Sequence, residues 1–193
     1  MAADSDARHR RSIRLQGYDY ASEGAYFVTM VTAGRECLFG EIRDESVRLS
    51  PIGGAVEEEW LRTAAMRAEV ELDAFVVMPN HVHGIIVVAE APVGAQGLAP
   101  LQGPDSSIPS RRPRTLGSLI AGFKAPCTNR INDLRDSPGV PVWQRNYHDR
   151  IIRNEAELNR IRQYIINNPA NWSLDPENPV TAVESTATTP FPC

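Results

Sequence analysis

The residues with the most chemical content in this chain are two histidines, His81 and His83, within Val77-Met-Pro-Asn-His-Val-His-Gly-Ile-Ile-Val87. The apolar, β-branched run they open reads as a strand. Side chains alternate faces along a strand, so both imidazoles project to the same side. Two nitrogens on one rigid element form a claw suited to holding a metal ion. The sequence contains four histidines, and half of them are here. Taken alone, the pair is equally compatible with two hydrogen-bonded core histidines.

Three chemistries use strand histidines at this spacing. A histidine-triad nucleotide hydrolase needs a third histidine at the next alternate position, which here is Ile85. A two-histidine phosphoesterase carries two separated His-x-Ser/Thr units, and no histidine here matches that pattern. The third chemistry is a metal-binding nuclease pair. A second constellation bears on it: Glu157-Leu-Asn-Arg-Ile-Arg-Gln-Tyr-Ile-Ile-Asn-Asn-Pro169. Its apolar residues Leu158, Ile161 and Ile165 mark one stripe of a helix, and Tyr164 and Asn168 share a face one turn apart. By itself Tyr164 reads as a core-edge tyrosine and Asn168 as a helix terminator before proline.

The elements that must position these groups follow from local signals. Residues 24–32, rich in β-branched and aromatic types, read as a strand. A short hairpin is expected over 37–49. Ser50-Pro51 supplies an N-cap and a proline at the first helical position, opening a helix to about Ala68 with Ile52, Val56, Trp60 and Ala64 inward. Residues 70–78 and 81–89 read as antiparallel strands around a Pro79-Asn80 turn. Residues 91–113, dense in proline and glycine, are expected to form a long mobile loop. A helix spans 116–134, with Pro126 predicting a kink or break. Residues 138–143 are a connector. Asn154, with Glu157 in the capping-box position, starts the last helix, which ends before Pro169. This order predicts an α+β, ferredoxin-like sandwich: an antiparallel sheet with helices on one face. The expected organisation is a flexible N-terminus over 1–20, one domain over 21–172 and a disordered tail over 173–193.

Composition narrows the class. Cys37, Cys127 and Cys193 form neither a zinc pattern nor a disulfide framework, as expected in a reducing compartment. The longest apolar run is too short to cross a bilayer, and the N-terminus lacks a signal-peptide core, so a cytoplasmic protein is expected. The net charge of −4 conceals a split. Residues 36–73 carry ten acids against four arginines, whereas 111–162 carry ten arginines and Lys124 against five acids. Polarised charge points to a polyanion partner more than the total does.

The joint pattern, Met78-Pro-Asn-His-Val-His-Gly84 followed by Tyr164-Ile-x-x-Asn-Pro169, resembles the single-tyrosine HUH transposases and, within them, the REP-associated tyrosine transposases. Trp143-Gln-Arg-Asn-Tyr-His-Asp-Arg-Ile-Ile-Arg153 and Leu116-Gly-Ser-Leu-Ile-Ala-Gly-Phe-Lys124 look like the same family, so the resemblance covers about 26–172. It implies the HUH endonuclease fold. It also implies that His81, His83 and Asn168 ligate a divalent cation, Mg2+ or Mn2+, although imidazoles favour softer metals than Mg2+. Tyr164 is then the nucleophile that cleaves and rejoins single-stranded or hairpin DNA through a 5′-phosphotyrosine. The basic stretch would contact phosphates through Lys124, Arg130, Arg145, Arg150 and Arg153, while Trp143 and Tyr147 stack on bases. His148 has no spacing rule to give it a role. A nucleoid-associated monomer or homodimer is expected, with hairpin binding without cleavage as the alternative and small-nucleotide phosphoester hydrolysis as a third reading.

Overall fold

The computed structural model describes residues 23–89 and 115–181; the expected flexible N-terminus, the long loop and the end of the tail lie outside them. Four strands form an antiparallel sheet: β1 (Gly24–Val31), β4 (Val70–Val77), β5 (His81–Val88) and β6 (His148–Ile152), in spatial order β4-β5-β1-β6. A separate hairpin joins β2 (Gly40–Arg43) and β3 (Ser46–Leu49). With α1 (Pro51–Ala65) between β1 and β4, and α2 (Leu116–Leu134) between β5 and β6, the sheet has ferredoxin-like βαββαβ connectivity. α3 (Glu155–Asn167) follows it.

The starts of the helices are set by local chemistry. Ser50 Oγ accepts from Gly53 N at 3.1 Å, Thr115 Oγ1 from Ser118 N at 3.1 Å, and Asn154 Oδ1 from Glu157 N at 2.9 Å. Each side chain satisfies a helical N–H that has no partner in its own turn. Glu157 reaches back to Arg153 N at 3.0 Å, closing the N-terminus of α3 one residue beyond the standard capping box. Helix α1 ends at Ala65, three residues earlier than its periodicity predicts. Helix α2 runs unbroken through Pro126. The carbonyl that loses its partner there belongs to exposed Gly122, where solvent can satisfy it. Strand β6 falls in a segment whose sequence carries no alternation strong enough to announce it.

The two faces of the sheet carry different cargo. Tyr26, Val28 and Met30 of β1, with Val82 and Ile86 of β5, face α1 and α2 and bury Trp60, Phe123 and Trp143 in one core. Trp60 and Phe123 meet edge to face at 5.2 Å. On the opposite face Phe27, Ile85 and Ile152 pack under Leu158, Ile161 and Ile165 of α3 in a smaller cluster. The expectation of helices on one face therefore holds for α1 and α2, and α3 covers the other. Arg162 docks it: its guanidinium forms a bidentate pair with Asp73 of β4, Nε to Oδ1 at 2.8 Å, where the β4–β5 register shifts between Leu72 and Phe75.

Gly84 explains how β5 lies so close to α1. A Cβ there would stand 2.5 Å from Trp60 Cζ2. Gly84→Ala is expected to destabilise the fold by about 1–3 kcal/mol through overpacking, read as a lower urea midpoint at unchanged slope. An unchanged midpoint would show that the indole moves aside freely.

Candidate active site

The β1–β5 register sets Thr29 opposite His83 and Val31 opposite His81, placing both imidazoles on the α3 face. His81 is fully buried and His83 nearly so. Their rings lie 4.4 Å apart, centroid to centroid. His81 Nδ1 meets Asn80 Oδ1 at 2.9 Å, and His83 Nδ1 meets Thr29 Oγ1 at 2.9 Å. Burial holds both rings neutral, pushing His81 down to about 3. His83 is depressed by burial and by the neighbouring His81, against an upward pull from Asp175. Neutral imidazoles are the form that ligates metals.

Tyr164 stands beside the apolar stripe of α3, and its hydroxyl lies 3.3 Å from His83 Nε2 within the same chain. The two rings are 5.2 Å apart, and Phe27 meets the phenol edge to face at 6.0 Å. Tyr164 remains 43% exposed, so its open side can meet a substrate. Burial and the charge of Asp175 raise its pKa; the Asn168 amide opposes them and Glu177 adds to them.

A carboxylate that the sequence did not announce joins the site beside Asn168. Past Pro169 a 3-10 turn at Trp172–Leu174 returns the chain over the histidines and buries Asp175. Asp175 Oδ2 lies 3.9 Å from His81 Nε2 and 4.0 Å from His83 Nε2. Oδ1 is tied to Glu177 N at 2.7 Å, leaving Oδ2 for the site. Asn168, assigned by resemblance as the third ligand, is buried at the end of α3 and donates through Nδ2 to Asp175 Oδ2 at 3.0 Å. Thus 173–181, expected in a disordered tail, folds and supplies a carboxylate. Its sequence hid this because Asp175 follows the last helix among proline and polar residues; the adjacent Trp172, near His81 at 6.0 Å, was the one available cue.

His81, His83 and Asp175 offer donor atoms within 4.8 Å of one another. His81 Nε2 and Asn168 Oδ1 are buried without a hydrogen-bond partner. Orphaned polar atoms in a dry site are costly unless something meets them, and a cation does so. Two imidazole nitrogens and a carboxylate oxygen suit a divalent transition metal.

The residues expected to touch DNA separate into two groups. Trp143 is buried against Phe39 and Phe123 and offers no stacking face. Lys124 donates to the Gln144 and Asn146 carbonyls, both at 3.1 Å, and lies 5.7 Å over the Trp143 ring. It thereby staples α2 to the connector, and burial lowers its pKa to about 8. Arg130 pairs with Glu58 and Glu59 of α1. Arg150 pairs with Glu157 yet stays mostly exposed. Arg145 and Arg153 are exposed, with no side-chain ion pair among the described residues. His148, exposed on β6, pairs with Thr29 in register and so falls in the same cross-strand row as His83. Tyr147 packs against the main core.

No family model matches the chain. Its fold is similar to that in the structure of a REP-associated tyrosine transposase bound to a REP hairpin, with a TM-score of 0.53 over 84% of this chain and 76% of that one, at 16% identity. The chain belongs to the same family as a Haemophilus influenzae protein described as uncharacterized, to which it is 42% identical over 168 residues, 86% of this chain and 92% of that protein. None of the described helices is long and apolar enough to cross a membrane.

Because burial drops His81 from 6.5 to about 3, the unfolded chain takes up its proton first as pH falls. Stability of the metal-free protein is therefore fully present above the unfolded value. It is lost below that value at up to about 1.4 kcal/mol per pH unit for this histidine. Urea melts across that range should show the slope in the wild type and a shallower one in His81→Gln. Equal slopes would show that the ring is not held neutral.

Proposed function

We propose that this chain is a tyrosine transposase of the REP-associated type, a metal-dependent enzyme that cleaves and rejoins single-stranded hairpin DNA in the cytoplasm. The observation that carries the reading is the approach of the Tyr164 hydroxyl to 3.3 Å from His83 Nε2, beside a buried pair of histidines and a carboxylate. Such a cluster on one sheet face, with a half-exposed phenol at its edge, fits phosphodiester chemistry better than passive binding. Passive binding would need only the basic surface. The protein of shared fold bound to a REP hairpin makes hairpin DNA the first substrate to test.

His81, His83 and Asp175 would hold the divalent cation, Mg2+ or Mn2+, with Asn168 behind Asp175. Bound there, the cation would polarise the scissile phosphate and offset the charge that builds on it. Tyr164 Oη forms the new bond to phosphorus and gives up its proton. The P–O3′ bond breaks, leaving a 5′-phosphotyrosine, and the departing oxygen gains a proton to become a 3′-hydroxyl. A free phenol titrates near 10 and is mostly protonated at neutral pH. The Asp175 charge raises that barrier further, and engaging its carboxylate as a ligand removes that part. Arg145, Arg150, Arg153 and His148 are exposed in or beside β6 and are the proposed phosphate contacts.

Incubation with a hairpin carrying single-stranded flanks and Mn2+ should trap a denaturation-resistant protein–DNA adduct. Tyr164→Phe should eliminate it while leaving hairpin affinity within about twofold. Asp175→Ala should raise the Mn2+ concentration needed for half-maximal adduct by about tenfold or more. An adduct that persists in Tyr164→Phe sinks the nucleophile assignment. Turnover of the DNA with no adduct at any time favours a phosphoesterase, and hairpin binding without either favours a pure binding protein.

A further inference from the structure

The two histidines are not equivalent, and the difference lies in what meets their Nδ1 atoms. Asn80 is fully buried in the turn between β4 and β5. Its Nδ2 donates to the carbonyls of Arg35 at 3.1 Å and Glu177 at 2.7 Å. Two carbonyl oxygens accept only hydrogens, so the amide cannot be flipped without setting oxygen against oxygen twice. Its Oδ1 must therefore face His81 Nδ1, 2.9 Å away. An amide oxygen is an acceptor only, so the proton of the neutral His81 ring sits on Nδ1. Nε2 is left with a lone pair, and that is the atom buried without a partner.

His83 stands against a different neighbour. Thr29 Oγ1 can donate or accept, so its 2.9 Å contact with His83 Nδ1 fixes no tautomer. With the proton on Nδ1, His83 offers Nε2 as a ligand or as acceptor for the Tyr164 hydroxyl. With the proton on Nε2, it donates to the Tyr164 oxygen 3.3 Å away while Thr29 donates to Nδ1.

We propose that Asn80 is a positioning residue that locks His81 as the standing metal ligand, leaving His83 as the histidine able to change partners between the cation and Tyr164. The inference rests on the metal site proposed above. It adds a residue outside the ligand set. Asn80 also ties that lock to the segment that delivers Asp175. The amide bonds the Glu177 carbonyl, the Glu177 N–H holds Asp175 Oδ1, and the Glu177 carboxylate pairs with Arg35 Nε at 2.9 Å. One side chain thus orients one ligand and tethers the turn next to another, a task that outer-shell partners of metal histidines commonly perform.

Long-range nitrogen–proton correlation NMR of the metal-free protein reads which ring nitrogen of each histidine carries the proton. His81 is expected as the pure Nδ1–H form in the wild type and in Thr29→Val. In Asn80→Ala it is expected as a mixture or as Nε2–H. Mn2+ affinity, followed by the loss of free-ion electron paramagnetic resonance signal, should fall by about 10–100-fold in Asn80→Ala. A wild-type His81 protonated on Nε2 overturns the proposal, and it does so even if Asn80→Ala fails to fold. So does an Asn80→Ala protein that keeps the Nδ1–H form and wild-type Mn2+ affinity. Absence of Mn2+ binding by the wild type, with His81 still in the Nδ1–H form, would instead overturn the metal-site reading on which the proposal depends.

Discussion

The antiparallel register between β1 and β5 governs everything else in this molecule. Side chains on a strand alternate faces, so sliding β5 by one residue would exchange its two faces completely. His81 and His83 would then point into the Trp60 core, and Val82 and Ile86 would point at α3. Packing pins the register against such a slip. Gly84 leaves room for the Trp60 indole on one side, and Ile85 fills the cluster under α3 on the other. The histidines inherit their direction from a core that has no chemistry of its own. That inheritance also keeps the rings dry, and dryness keeps them neutral well below the pH at which an exposed imidazole takes up a proton.

A sheet with two differently used faces follows from this register. One face carries α1 and α2 and most of the aromatic mass. The other carries one amphipathic helix and the polar cluster. The helix is short and its apolar cluster small, so hydrogen bonds and charge do a larger share of the work there. The Arg162–Asp73 pair, the Asn154–Glu157 cap and the Asn168–Asp175 contact each fix a different part of α3 or the turn after it. Tyr164 comes to rest at the edge of this arrangement, half exposed, with its hydroxyl against His83.

Much of this was legible in the residues. β-branched and aromatic content marked β1, the runs either side of Pro79-Asn80 marked β4 and β5, Ser50-Pro51 marked the start of α1, and the stripe at Leu158, Ile161 and Ile165 marked the buried side of α3. The His81–His83 pair and Tyr164 were joined by the resemblance of their combined motif to a known family, not by spacing alone. Three features escaped for physical reasons. Strand β6 is a short edge strand, half solvated, and edge strands carry weak patterning. The neighbours of Lys124 and Trp143 are backbone carbonyls and aromatic rings distant in sequence, so a cation and an aromatic suited to DNA turned out to be structural. Asp175 lies beyond the last regular helix, where composition says tail. Only the three-dimensional return of the chain shows that a buried carboxylate, with Asn168 behind it, closes over the histidines.

That return has a consequence in time. A chain is made from its N-terminus, and a domain folds as a unit. The strand bearing the histidines is synthesised well before α3, and α3 before the turn that brings in Asp175 and Glu177. Asn80 and Glu177 are 97 positions apart, yet they share one hydrogen bond. A chain that stops before α3 therefore carries the imidazoles without the phenol or the carboxylate. The reactive arrangement therefore cannot form until the C-terminal turn has been made.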